Sequence, residues 1–384
     1  MRSPGVVIGV IGLVIVAGFW WQRSDPPDRS SYILATATTG GTFYPVGVAI
    51  ATLTKQTMAP EYGVSLAAIS SAGSEENLRL MRSSEAHFAI LQGLYGAWAI
   101  EGRGRMAGQP SFDALRSVTA LWPNVEHFLI RSDAVDSATL DDLHALAGRR
   151  FSIGARFSGT EGSNRHILNA LGLEPDAHFD LVYQGYGASA DAFQNQRIDG
   201  MNTPAGIPVG AVTRALAAAG DRARLLAVTD DQRSQINAGF GQLWQPFEIP
   251  ADTYPGQGEA VRTVAQANLL AVRSDVPDDH VYWLLSTLYD NLGFLHAFHA
   301  ATRAMSLDSA LTGLPVPLHP GAVRFYRDRG VEIPEALLPE GLLPEGLSPE
   351  ALLPEALSPE ALSPNGPSLA AKVDRSHALD NAPR

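Results

Sequence analysis

The sequence predicts an α/β protein built as two lobes with a hinged cleft between them, and three observations carry that reading. Apolar strand-like runs alternate with helix-like stretches, the mark of βαβ units around a parallel sheet. The alternation comes in two series, the second opening after Leu121-Trp122-Pro123-Asn124. Three glycine-bearing turns each follow a strand-like run and each open a helix.

Ahead of the first lobe, Gly5 to Trp21 is an uncharged apolar run behind Met1-Arg2, with Trp20 and Trp21 placed like an interfacial belt. Residues 1–23 therefore read as an export segment, either a signal peptide or a membrane anchor. Bulky aromatics stand where a cleavage site would show small residues, which favours retention. The run is near the short end of the roughly 17 to 25 residues that a spanning helix needs. With Met1-Arg2 inside, everything after Arg23 is expected outside the cytoplasmic membrane. Residues 24–31, polar and holding Pro26-Pro27, read as a linker.

Strand-like runs at Ile33–Ala35, Val64–Ile69 and Phe88–Leu91, with helices starting near Phe43 and Ser74, make the first lobe. His127–Ile130 opens the second, followed by a helix capped by Thr139 with Asp142 and the strand Phe151–Gly154. A helix over Glu161–Leu171 and strands at Leu181–Tyr183 and Leu225–Val228 complete the series. After Val261 the run Asn268–Val272 and the amphipathic stretch His280–Leu292 have no complete sheet of their own, so they are expected to return to the first lobe. The expected division is 32–122 plus 268–330 for lobe I and 123–267 for lobe II, with the chain crossing near Trp122–Glu126 and again near Gln266–Arg273.

From Pro334 the unit Pro-Glu-(Ala or Gly)-Leu-(Leu or Ser) repeats six times, up to Ser363. A five-residue period fits neither helix nor strand, and a proline in each unit interrupts any helix. Residues 331–384 hold nine acidic and three basic residues, half of the chain's formal −12, and read as a disordered, solvated tail.

That acidic balance and the lack of a basic stripe exclude nucleic acid as a partner. With 384 residues, 45% hydrophobic and 18% charged, the chain has material for more than one domain core. It contains no cysteine, hence no disulfide and no thiolate metal site.

The three turns are Thr38 to Gly47, Ser71 to Asn77 and Phe157 to Ser163. The first N–H groups of a helix lack partners inside it and carry the positive end of its dipole, so each turn is a small amide nest suited to a carboxylate or phosphate. In the third, Ser158 and Glu161 have capping-box spacing. One such turn is punctuation; three aimed at a common cleft make a site.

Thr38-Thr39-Gly40-Gly41-Thr42-Phe43-Tyr44-Pro45-Val46-Gly47 resembles the opening signature of the TAXI family, the extracytoplasmic solute receptors of one class of tripartite (TRAP) transporters. Gly73-Ser74 with Asn77-Leu78-Arg79-Leu80 and Ser158-Gly159-Thr160-Glu161 are similar to two further segments of that family. Ile198-Asp199-Gly200, Thr253-Tyr254-Pro255-Gly256 and Leu318 to Tyr326 add three more, so that the likeness covers roughly Ser31 to Arg329. The resemblance implies a type II periplasmic-binding-protein-like fold that closes by hinge bending on a small anionic solute such as glutamate, 2-oxoglutarate or a related dicarboxylate. It implies delivery to a transporter membrane subunit, and neither catalysis nor a cofactor. Two departures, Gln92-Gly93-Leu94 where the family often has Gln-Ser-Asp and Ala155-Arg156-Phe157 before Ser-Gly-Thr-Glu, remove an acid and add a cation, favouring a more anionic ligand.

The ligand-binding candidates in the first lobe are Thr39, Gly40, Gly41, Thr42 and Tyr44, with Ser74 and Asn77 also able simply to cap their helix. Gln92 and Trp122 are expected to line the cleft. In the second lobe the candidates are Arg156, Ser158, Gly159 and Thr160, with Pro204 and Ala205 presenting backbone groups. Enzyme signatures are poor: Gly102-Arg103-Gly104 sits outside a nucleotide fingerprint, no Gly-x-Ser-x-Gly elbow is present, and His296 and His299 lack a carboxylate motif beside them. A membrane-tethered sensor that passes occupancy to a signalling partner is the alternative.

Overall fold

The computed structural model describes residues 29–342. The export segment and most of the repeats lie outside the described residues. Among the described residues no helix is long and apolar enough to cross a membrane.

Two sheets form. The first holds β1 (Ser30–Ala35), β2 (Val64–Ile69), β3 (Phe88–Gln92), β4 (Leu115–Val125), β10 (Gln245–Ile249) and β11 (Val261–Arg273); the second holds β5 (Phe128–Arg131), β6 (Arg150–Ser152), β7 (Asp180–Val182), β8 (Gly200–Asn202) and β9 (Ala223–Leu225). In the first, β1 runs parallel to both β2 and β3, and the order is β10-β11-β3-β1-β2 with β4 along the other edge of β11. The second runs β7-β6-β8-β5-β9, with β6 parallel to β7 and β8, and β5 antiparallel to its neighbours.

Strands β4 and β11 join the lobes. They pair antiparallel from Leu115↔Arg273 to Val125↔Ala265, with register shifts between Ala267 and Leu269 and between Leu270 and Ala271. Bulges of this kind bend and twist a strand locally. Beyond them Val125 and Ala265 pack with Leu129, Ile249 and Tyr254 into the core of the second lobe. Residues Gln245–Ile249, expected within lobe II, pair with β11 and extend the first sheet, because the far half of β11 offers an open edge there.

The helices that matter for the site are α1 (Phe43–Leu53), α2 (Ser74–Arg82), α3 (Gly93–Glu101), α4 (Gly159–Ala170) and α5 (Tyr186–Gln194). Helices α6 (Asp278–Asp290) and α7 (Pro320–Asp328) return to the first lobe, burying Val281, Leu284, Leu285, Phe325 and Tyr326. The start of the tail corrects the expectation of a solvated spacer from residue 331. Leu337 is buried and its carbonyl accepts from the Leu318 amide at 2.8 Å, while Val331, Ile333 and Leu338 pack on the same core.

Candidate functional site

Strand, turn and helix repeat four times around one cavity. Helix α1 begins after Thr42, α2 after Gly73, α4 after Ser158 and α5 after Gly185. Gly41, Thr42, Phe43, Gly73, Ser74, Ser158, Gly159, Thr160, Gly185 and Tyr186 all line a cavity of ≈ 40 Å³ between the lobes. Its remaining walls are Ala37, Thr38, Ala72, Gln92, Ala155, Pro204 and Ala205, so among the described residues no ionisable group besides the phenol of Tyr186 lines it. The amides that open each helix have no partner within it, and four positive dipole ends meet here. Helices α2 and α4 carry Glu75, Glu76 and Glu161 in their first turns, which offset their dipoles; α1 and α5 carry no acid there. The net positive potential therefore comes from one helix of each lobe.

Side-chain hydroxyls are largely engaged. The Tyr186 phenol donates to the Pro204 carbonyl at 2.6 Å, so the Thr160 hydroxyl, 2.8 Å away, donates to Tyr186. Ser74 Oγ accepts from the Gln92 amide, and Ser158 Oγ accepts from the Glu161 amide while donating to the Ala155 carbonyl. The reciprocal half of the capping box goes elsewhere: Glu161 accepts from the Phe157 amide. Gln92 Oε1 is buried and has no partner among the described residues.

The lobes touch around the cavity. The Glu76 amide donates to the Phe157 carbonyl at 3.3 Å. Tyr95 of α3 is fully buried, with its phenol oxygen 3.1 Å from Glu75 Oε2 and 3.3 Å from the Ser158 carbonyl. Arg105 bonds Glu75 at 3.0 Å and reaches Glu161 of the other lobe at 3.8 Å.

Glu126, where β4 enters the second lobe, is a buried carboxylate with no cation against it among the described residues. It accepts from Asn202 Nδ2 at 2.6 Å, Ser163 Oγ at 2.9 Å and Trp244 Nε1 at 3.4 Å. Burial outweighs these donors and raises its pKa to about 7. Next to it His127 is also buried, held by the Val125 and Thr203 carbonyls and Tyr254. Desolvation lowers its pKa to about 4.

Of the residues singled out in the sequence, Gly41, Thr42, Ser74, Gln92, Ser158, Gly159, Thr160, Pro204 and Ala205 come together at the cavity. The others fall elsewhere for local reasons. Thr39 and Gly40 are exposed on the rim, where a side chain on Gly40 would meet the Gly187 amide at 3.3 Å. Tyr44 is one helical step past Phe43, and a rotation of about 100° takes it off the cavity-facing side. Asn77 is buried and ties β1 to β3, donating to the Thr36 and Ile90 carbonyls and accepting from Ser71. Trp122 sits behind Phe43, edge to face at 6.0 Å. Arg156 is exposed and lies over the Tyr183 ring at 3.8 Å, away from the cleft. Sequence reasoning missed Gly185 and Tyr186, although Gly185-Tyr186-Gly187 after Leu181-Val182 is a fourth copy of the strand, glycine turn and helix signal. Among the described residues no cluster of three His, Asp or Glu is arranged to hold a metal ion.

Two α/β lobes, a five-stranded and a six-stranded sheet bridged by the long pair β4 and β11, with helix N-termini facing across a cleft, define the type II periplasmic-binding-protein architecture. The model of the NMT1-like family matches residues 34–330, and the chain belongs to that family. Among solved structures it is similar to the aliphatic sulphonate binding protein SsuA of Escherichia coli, at 14% identity and a TM-score of 0.39 over 80% of this chain and 95% of that one. It is also similar to MatC of Rhodopseudomonas palustris with bound malate, at 14% identity and a TM-score of 0.46 over 72% and 89%. A third is a binding protein component of an ABC phosphonate transporter from Pseudomonas aeruginosa, at 12% identity and a TM-score of 0.45 over 73% and 80%.

Proposed function

We propose that this protein is an extracytoplasmic solute receptor of the TAXI type, which closes its two lobes on a small anionic solute and presents it to a tripartite transporter's membrane subunit. A dicarboxylate or acidic amino acid such as glutamate or 2-oxoglutarate is the ligand class that fits. The observation that carries this is the convergence of four helix N-termini, two from each lobe, on one cavity whose lining holds no carboxylate. An anion there would be held by amides and dipoles rather than by a matched cation.

Each helix end contributes roughly 0.3 to 1 kcal/mol when exposed and up to ~2 kcal/mol when partly buried. Several in a cleft that excludes water can together approach the roughly −8 kcal/mol of micromolar binding. Uncompensated α1 and α5 point to a carboxylate bridging Thr42–Phe43 and Gly185–Tyr186. Thermal unfolding of the full chain against acidic amino acids, 2-oxo acids and dicarboxylates tests the reading. One of them should stabilise the protein by about 2.7 kcal/mol at a hundredfold excess over its Kd. No shift with any of them, or an equal response to neutral analogues, overturns it.

A further inference from the structure

Gly102-Arg103-Gly104, which fits no nucleotide fingerprint, has a different use in the fold. Gly102 ends α3 at φ +63° and Gly104 follows at φ +57°, the left-handed region that favours glycine. Gly104 lies so close to the Trp98 ring that a methyl group there would run into the indole. The Met106 amide donates to the Arg103 carbonyl at 3.0 Å and closes the turn. This double reversal carries Arg105 back to the start of α2.

There Arg105 Nε donates to Glu75 Oε2 at 3.0 Å and Nη2 to Glu75 Oε1 at 3.3 Å, a two-pronged pair within the first lobe. The same Nη2 lies 3.8 Å from Glu161 Oε2 of the second lobe, the only ion pair between the lobes among the described residues. The Glu161 side chain is 4% exposed, so water screens it little. Its other partners, the Phe157 amide at 3.0 Å and Arg165 Nε at 3.3 Å, belong to its own lobe and stay with it when the lobes part. Arg105 does not line the solute cavity. It borders a groove on the outer side of the seam, of ≈ 630 Å³, with Trp98, Arg165 and His166, where dissolved ions can reach it.

Glu75 and Glu161 stand in the first turns of α2 and α4, the two helices whose dipoles they offset at the cavity. An arginine shared between both acids relieves that offset, and only the closed arrangement allows the sharing. We propose that Arg105 is a positioning residue that couples lobe closure to anion capture: it ties Glu161 to Glu75 across the seam and so returns the positive ends of α2 and α4 to the solute. The link to capture rests on the receptor reading above, whereas the tie between the lobes does not depend on it.

The chain contains no cysteine, so Gln56→Cys on the first lobe and Ser234→Cys on the second, both exposed, can carry spin labels. Pulsed electron resonance on the solute-free full chain should show a population at the short, closed distance. Arg105→Met should shift the balance toward open lobes about fivefold, the upper range for a partly exposed ion pair, and Arg105→Lys should recover most of it. Raising salt from about 0.05 to 1 M should open the native chain in the same way and leave Arg105→Met unchanged. Arg105→Met should add little in a Glu161→Gln background. A purely structural role within the first lobe would instead lower the melting temperature and leave the distance balance and its salt response alone. A native chain with no closed population, an unchanged balance in Arg105→Met, or an equal effect of that variant with and without Glu161→Gln overturns the proposal. The salt titration uses the native side chains at the seam, so it decides the matter even if Arg105→Met folds poorly. Should the balance respond as expected while no acid binds, the receptor reading fails alone; where a solute binds, its Kd should rise about fivefold in Arg105→Met.

Discussion

Gly73 of the first lobe and Gly159 of the second face each other so closely that a methyl group on Gly73 would lie 3.3 Å from the Gly159 amide nitrogen. One built on Gly159 would lie 2.7 Å from both Gln92 Cδ and Ser74 Oγ. Two amide nests can share one cavity only because neither turn carries a side chain at its tip.

Gly159→Ala should therefore weaken anion binding about tenfold or more, the equivalent of at least ~1.4 kcal/mol. Its thermal midpoint without ligand should change little, since the clash is between lobes and not within one. Calorimetric titration reads the first and a melting curve the second; native affinity in the variant would show that the nests do not need this approach.

Tyr95 meets Gly162 more tightly still: a methyl on Gly162 would fall within 2.7 Å of the phenol ring carbon Cζ. Gly162→Ala should hold the lobes apart, giving a larger radius of gyration by small-angle scattering, and Tyr95→Leu in the same chain should reverse it. Unchanged scattering in the single variant would mean that α3 and α4 tolerate the wedge.

Glu126 and His127 carry opposite pH dependences. The Glu126 pKa rises from 4.5 to about 7 on folding, so the folded state binds more protons between those values and stability falls as pH rises through the window. The His127 pKa falls from 6.5 to about 4, so the unfolded state binds more protons there and stability is lost as pH falls through that window. Each is on the order of 3 kcal/mol, and the two oppose each other where the windows overlap. Denaturant midpoints from pH 4 to 7 should be nearly flat in the native chain, rise with pH in Glu126→Gln, and fall with pH in His127→Gln. Parallel profiles for the two variants would refute the assignment.

Arg156→Ala should leave solute affinity as it is, because its guanidinium lies on Tyr183 and not in the cavity. A loss of affinity in a titration would instead place this side chain in the ligand's reach.

The strand and helix pattern was legible because a half-buried sheet and its covering helices impose their periods directly on the chain: Val64–Ile69 forms β2 and Ser74 opens α2 as the residues indicate. Turn chemistry also speaks locally, and so the nests at Gly41, Gly73 and Gly159 could be read without coordinates. Side-chain destinations could not. Asn77 and Ser74 sit three residues apart on one helix, yet one ties strands together and the other faces the cavity, a difference set by what β1 and β3 bring alongside.

By itself the amino-acid order determined two α/β lobes, their return crossing and the amide nests, since these follow from hydrophobic period, proline and glycine placement, and helix-end electrostatics. Only the tertiary structure decided that Tyr186 closes the wall, that Glu126 is buried at the crossing, and that Leu337 belongs to the core. Those outcomes depend on packing between segments far apart in sequence, and no local pattern encodes which distant surface a side chain will meet.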